Sequence, residues 1–126
     1  MAVQKFEDLL VWQKSQDLAV SIYDIFKDNK DFSFRDQIRR ATISISNNIV
    51  EGFDRNSNAD FSRFLYIALS SNSEVRSMLC LSTKLGFIDK GDVSGLIERT
   101  NEISKMLHGL IKSIKTNYYF LITVYE

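Results

Sequence analysis

Proline is absent from all 126 residues, and glycine occurs only five times. Proline removes a backbone donor and clashes with the preceding helical turn, so without it nothing in the chain breaks a helix from within. Long helices are expected. The single cysteine, Cys80, rules out an intrachain disulfide framework. It falls in an apolar helical context and reads as a small buried hydrophobe. The single histidine, His108, excludes a carboxylate-bridged metal pair, which needs Glu-x-x-His motifs on two helices; Lys105 and Ser104 precede it instead. Neither a glycine-rich phosphate loop nor a Cys/His zinc spacing occurs, so no cofactor and no metal is expected. A Ser-His-Asp triad is assembled in three dimensions and is not excluded by spacing. His108, however, lies between Lys105 and Lys112 on the side of its helix away from the apolar seam, and reads as solvated. The expectation is a protein that is not an enzyme.

Charge of one sign is also missing. Lys plus Arg and Asp plus Glu are both 16, giving a formal net charge of zero. Strongly charge-driven nucleic-acid or membrane binders usually carry a basic excess, so only a local patch can serve that purpose here. No run of about 18 apolar residues occurs, and the N-terminus lacks the basic region and apolar stretch of a signal peptide. A cytoplasmic protein without a membrane span is expected. With 44 % hydrophobic residues, the chain can bury a core as one domain without disulfides or metal.

What is present is organised around the stretch from Phe34 to Phe53. At about 100° per residue, Phe34, Ile38, Ala41, Thr42, Ile45 and Ile49 gather on one side as a core stripe. Ile43 and Val50 fall on the opposite side, flanked by a polar line of Arg40, Ser44, Asn47 and Glu51. A helix in a monomer needs one apolar face; this one has two. Its start is expected at Ser33 with Asp36 as a capping box, and its end at Gly52 in a left-handed conformation.

A first helix is expected from about residue 7 to 28, marked by Leu9, Leu10, Trp12, Ala19, Ile22, Tyr23 and Phe26, and closed by Asp28-Asn29-Lys30. Ser57 and Asp60 predict the cap of a third helix with a seam of Phe61, Leu65, Ala68, Asn72, Val75, Leu79 and Ser82. Gly86 followed by Phe87 predicts its end. A fourth begins near Asp89, with a seam of Val93, Leu96, Thr100, Ile103, Leu107, Leu110 and Ile114. Four helices with short connections read as an all-α, antiparallel up-and-down four-helix bundle over residues 1–117. The apolar run from Tyr118 to Tyr125 reads as a tail, 118–126, that continues the fourth helix, packs on the bundle, or docks on a neighbouring subunit.

Three polar features invite a binding role. The line Arg40, Ser44, Asn47, Glu51, beside Ile43 and Val50, reads as an inter-subunit surface, because apolar rows facing water are disfavoured. The third helix carries Tyr66, Ile67, Ser70, Ser71, Glu74, Ser77 and Met78 away from its seam, either as the partner of that row or as a solvated face. Glu74 is expected to meet Arg39 or Arg40, within the chain or across an interface. Lys105, His108, Lys112 and Lys115 form a basic stripe along the fourth helix. Such a stripe can neutralise phosphates, but it reads first as a complement to the negative end of the helix dipole, because aromatic residues for base stacking are absent until Tyr118 and Tyr119.

These residues also carry a resemblance. Phe6-Glu-Asp-Leu with Trp12-Gln, Gln37-Ile-Arg-Arg-Ala, Ser44-Ile-Ser-Asn-Asn-Ile-Val-Glu-Gly52, Phe61 to Leu65, Ala68-Leu-Ser-Ser and Glu74-Val-Arg resemble the bacterial four-helix-bundle family with members encoded in intervening sequences of 23S ribosomal RNA genes. Members of that family are often labelled ribosomal proteins. The resemblance spans roughly residues 6–115 and leaves the tail outside. It implies a ring-like homopentamer, which accounts for the second apolar row, and an association with ribosomal RNA or a ribonucleoprotein. That family is in turn similar, in fold and pentameric assembly, to the accessory proteins of diversity-generating retroelements, which are strongly basic where this chain is neutral. The function expected is a self-associating scaffold for RNA, the alternative being a protein-interaction adaptor.

Overall fold

The computed structural model describes residues 3–116. A short 3-10 turn, Phe6–Asp8, leads into four helices: α1 (Leu10–Ile25), α2 (Phe32–Phe53), α3 (Asn58–Lys84) and α4 (Lys90–Lys115). Each packs on its neighbours in sequence, and α1 closes the square against α4, as in an up-and-down bundle. Every seam residue expected on α2, α3 and α4 is buried. The residues at the centre, among them Leu18, Ile45, Leu65 and Leu107, are fully inaccessible to solvent. Truncating any of them to alanine would remove transfer energy and leave a cavity, about 2–5 kcal/mol each.

The first helix is shorter than its apolar pattern suggests. Leu9 is extended (φ −74°, ψ 118°) and buried, which separates the 3-10 turn from α1. The turn is held by Phe6 against Trp12, ring centroids 5.2 Å apart and edge-on, and by Gln13 donating to the Glu7 carbonyl. The α2 start also differs from expectation. The cap is Asp31, whose carboxylate accepts the Phe34 N–H at 3.1 Å, so the helix opens ahead of Ser33. An ionised cap satisfies an orphan N–H and faces the positive helix end.

Ser57 caps α3 as expected, its hydroxyl accepting from the Asp60 N–H at 3.1 Å. Gly86 takes φ 75°, the Gly86 N–H bonds the Thr83 carbonyl, and the Phe87 N–H bonds the Ser82 carbonyl. That is a Schellman closure, and Phe87 then packs edge-on against Phe34 at 5.2 Å.

Gly52 does not end α2 in a left-handed conformation; it lies inside the helix and is buried. Its role is close approach: a Cβ there would stand 2.8 Å from Phe64 Cβ and 2.9 Å from Phe61 Cδ1. Cys80 is exposed rather than buried, because it is turned about 100° from Leu79 and away from the α3 seam. The tail 118–126 lies outside the described residues.

Candidate self-association and nucleic-acid surfaces

The second face of α2 forms a groove with α1. Gln16, Ala19, Val20 and Tyr23 line it from α1, and Ile43 and Ser46 from α2. Val20 is 70 % exposed, Tyr23 39 % and Ile43 36 %, so the apolar row suggested by the pattern does reach solvent. Val50 is only half-exposed. Two polar contacts hold the groove's walls in register. Gln16 Nε2 donates to Ser46 Oγ at 3.0 Å, and Arg39 lies over the Tyr23 ring at 4.4 Å while donating to the Tyr23 carbonyl at 3.2 Å.

The polar line divides. Arg40, Asn47 and Glu51 are exposed, and among the described residues their side chains make no hydrogen bond or ion pair. Ser44 turns toward α3, accepting from Ser71 Oγ and Asn48 Nδ2, both at 2.9 Å. Glu74 meets neither arginine within the chain; its Oε2 accepts from Gln37 Nε2 at 3.3 Å. Arg39 is instead committed to Tyr23. On α3, Ser71 and Met78 are buried within the bundle, while Tyr66, Ile67, Ser70, Glu74 and Ser77 remain outside with Leu81. The inward pair sits closer to the α2 side of α3 than an outward-facing assignment allows.

The basic residues Lys105, His108, Lys112 and Lys115 are all exposed along α4. The first three make no ion pair among the described residues. The pattern of α4 alone shows no aromatic residue near them, but the fold supplies one from α3. Lys115 Nζ donates to the Tyr66 hydroxyl at 2.9 Å and stands 5.1 Å from the ring centroid. The 49 residues separating them in sequence hide this contact from any periodicity argument. Nearby, Arg55 and Arg63 stack on Phe64 at 4.8 and 4.6 Å, and Arg63 also reaches Asp60 at 3.7 Å.

Among the described residues no three His, Cys, Asp or Glu side chains are grouped to hold a metal, and no helix is long and apolar enough to cross a membrane. What the surface offers is binding: an apolar groove, a row of unpaired polar groups, and a cationic strip with an aromatic beside it.

The family described as 23S rRNA-intervening sequence protein matches residues 7–109. A solved structure from Bacteroides thetaiotaomicron, described as a protein with unknown function from the S23 ribosomal protein family, superposes with a TM-score of 0.77 at 33 % identity. The match covers 82 % of this chain and 99 % of that one. No curated protein matches the chain.

Proposed function

Because the chain belongs to the 23S rRNA-intervening sequence protein family, we propose that it is a non-enzymatic, self-associating bundle that acts in the cytoplasm as a scaffold for ribosomal RNA or a ribonucleoprotein. The observation that carries the self-association is the groove of Val20, Tyr23 and Ile43, left exposed beside an Arg40 that has no partner among the described residues. A head-to-tail ring needs two different, complementary faces. The outer face of α3 supplies the second in its C-terminal half, with Leu81 exposed beside Glu74 and Ser77. Seating that half on the groove of the next copy covers the apolar surface of each and brings Glu74 toward Arg40. The resemblance noted from the sequence implies five copies in the ring.

A neutral protomer gains affinity for RNA by repetition. Arranged around a ring, several copies of the Lys105, His108, Lys112 and Lys115 strip engage one polyanion together, and each further contact is intramolecular. Binding of this kind weakens steeply with salt, because releasing condensed counterions into a more concentrated solution gains less entropy. The test is the absolute mass of the purified protein by light scattering, with absorbance at 260 and 280 nm on the same peak. A mass near five times 14.6 kDa supports the ring. A monomer refutes it. For the RNA role, changing Lys105, Lys112 and Lys115 together to Glu abolishes salt-sensitive binding while the oligomer persists; unchanged binding rejects the strip.

The zero net charge favours a second reading, a protein-interaction adaptor that binds no nucleic acid. One stoichiometric protein partner recovered after nuclease treatment, with no RNA bound by the pure protein, would establish it.

A further inference from the structure

We propose that Tyr66 is a stacking platform for an unpaired RNA base, and that the α3–α4 face selects single-stranded over duplex RNA. The inference rests on the RNA-binding reading above and names the form of RNA that this site takes. Three features of the surface carry it.

The first is the ring itself. Tyr66 is 46 % exposed on α3, and it borders a shallow groove with Ala59, Ser62, Arg63, Ile67 and Ser70. The small side chains of Ala59, Ser62 and Ser70 leave an open floor beside the ring.

The second is preorganisation. The Lys115 ammonium donates to the phenol oxygen at 2.9 Å, which sets it beyond the hydroxyl edge at 5.1 Å from the ring centroid, so a contact from α4 holds the side chain. A ring already held in place loses little rotamer freedom when a base stacks on it.

The third is charge. A second groove, lined by Asn58, Ala59, Ser62, Ile114 and Lys115, adjoins the first through Ala59 and Ser62. Lys112 lies one turn before Lys115 on α4, and Arg63 lies one turn before Tyr66 on α3. Lys112 and Lys115 therefore line the α4 side of the ring, where the phosphate of a stacked nucleotide would pass. Asp60, 3.7 Å from Arg63, is the acidic group at this edge. It leaves Lys112 and Lys115 to carry the backbone contact.

A duplex cannot use this surface in the same way, because its bases are already stacked on one another and face inward. Aromatic faces flanked by cations are the usual means of holding single strands with little sequence preference.

The test is fluorescence anisotropy with the full chain, using a labelled 12-nucleotide oligoadenylate and a 12-base-pair RNA duplex as probes. Tyr66→Ala is expected to weaken oligoadenylate binding by roughly tenfold. Tyr66→Phe, which keeps the ring but loses the Lys115 hydrogen bond, is expected to bind between Tyr66→Ala and the wild type. Duplex binding is little changed by either. The control is Lys105→Glu with Lys112→Glu, which should weaken both probes. Circular dichroism checks that each variant is folded. Wild-type affinity for oligoadenylate in Tyr66→Ala, with weakening only in the lysine control, would overturn the platform and leave the RNA reading standing. Equal loss of duplex and single strand in Tyr66→Ala would overturn the selectivity for unpaired bases. A wild-type protein that binds neither probe would overturn the RNA reading, and this inference with it.

Discussion

Gly52 on α2 faces Phe64 on α3 so closely that a Cβ added to the glycine would lie 2.8 Å from the phenylalanine Cβ. The two helix backbones approach each other closely here. The Phe61 carbonyl oxygen, 3.2 Å from the same added atom, is backbone and cannot swing aside. Phe53 reinforces the junction, its ring edge-on to Phe61 at 6.0 Å.

Gly52→Ala therefore forces the helices apart and costs about 1–3 kcal/mol, as overpacking in a core does. Gly109, in the interior of α4, faces open space. Gly109→Ala should stabilise by about 0.5–1 kcal/mol through helix propensity alone. Urea denaturation of the two variants gives midpoint shifts of opposite sign; a shift in the same direction for both would show that the close approach was misjudged.

Asn72 is a polar residue at a seam position, 3 % exposed, with Nδ2 donating to the Thr100 carbonyl at 2.8 Å. Its Oδ1 is buried without a partner. A buried acceptor left unsatisfied costs about 1–3 kcal/mol, and Asn72→Leu removes it at similar volume. The variant is expected to unfold at higher urea. Lower stability would mean that an internal water satisfies Oδ1 in the native protein.

The mass of the assembly should respond to the α1–α2 groove. Val20 is the more exposed wall residue and Val50 only half-exposed, so Val20→Asp with Ile43→Asp is the sharper pair of substitutions. Light scattering should then report the monomer with unchanged helical circular dichroism. Retention of the full mass would place the interface elsewhere.

The same double variant separates repetition from local affinity. Its Lys105, Lys112 and Lys115 strip is untouched, yet a monomer offers one strip instead of several. Affinity for a long RNA should fall about a hundredfold or more, while affinity for a 12-nucleotide strand, short enough for one protomer, changes far less. Equal affinities for both lengths before and after dissociation would count against multivalent binding.

The seams of α2, α3 and α4 were legible because buried residues recur every three or four positions, and Ser57 and Gly86 because capping is a local matter of a few residues. Ile43 could be picked out for the same reason: a second apolar row conflicts with a solvated face. The places where the pattern misled depend on neighbours. Gly52 looked like a helix end, since a glycine ending an apolar run carries that signal, whereas the space it vacates for Phe64 exists only once α3 is packed. Cys80 sits in an apolar run, but its direction is set by the α3 phase, about 100° from the seam. Asp31 outcompeted Ser33 for the α2 cap, a choice between two adjacent candidates that composition does not resolve. The contact of Lys115 with Tyr66 required the register of α4 against α3.

Every helix pair in the square joins consecutive helices except α1 with α4, which are linked by Lys14 to Glu102 at 2.6 Å and by Arg99 to Ser21 at 2.9 Å. Short-range pairs close early in folding because little loop entropy opposes them, and the most extensive, α2 with α3, is a hairpin joined by a short loop. Docking of α1 onto α4 spans the greatest length of chain and is opposed by the most loop entropy. The groove of Val20, Tyr23 and Ile43 lies between the consecutive helices α1 and α2, so its walls need only a local hairpin and do not depend on the closing of the square.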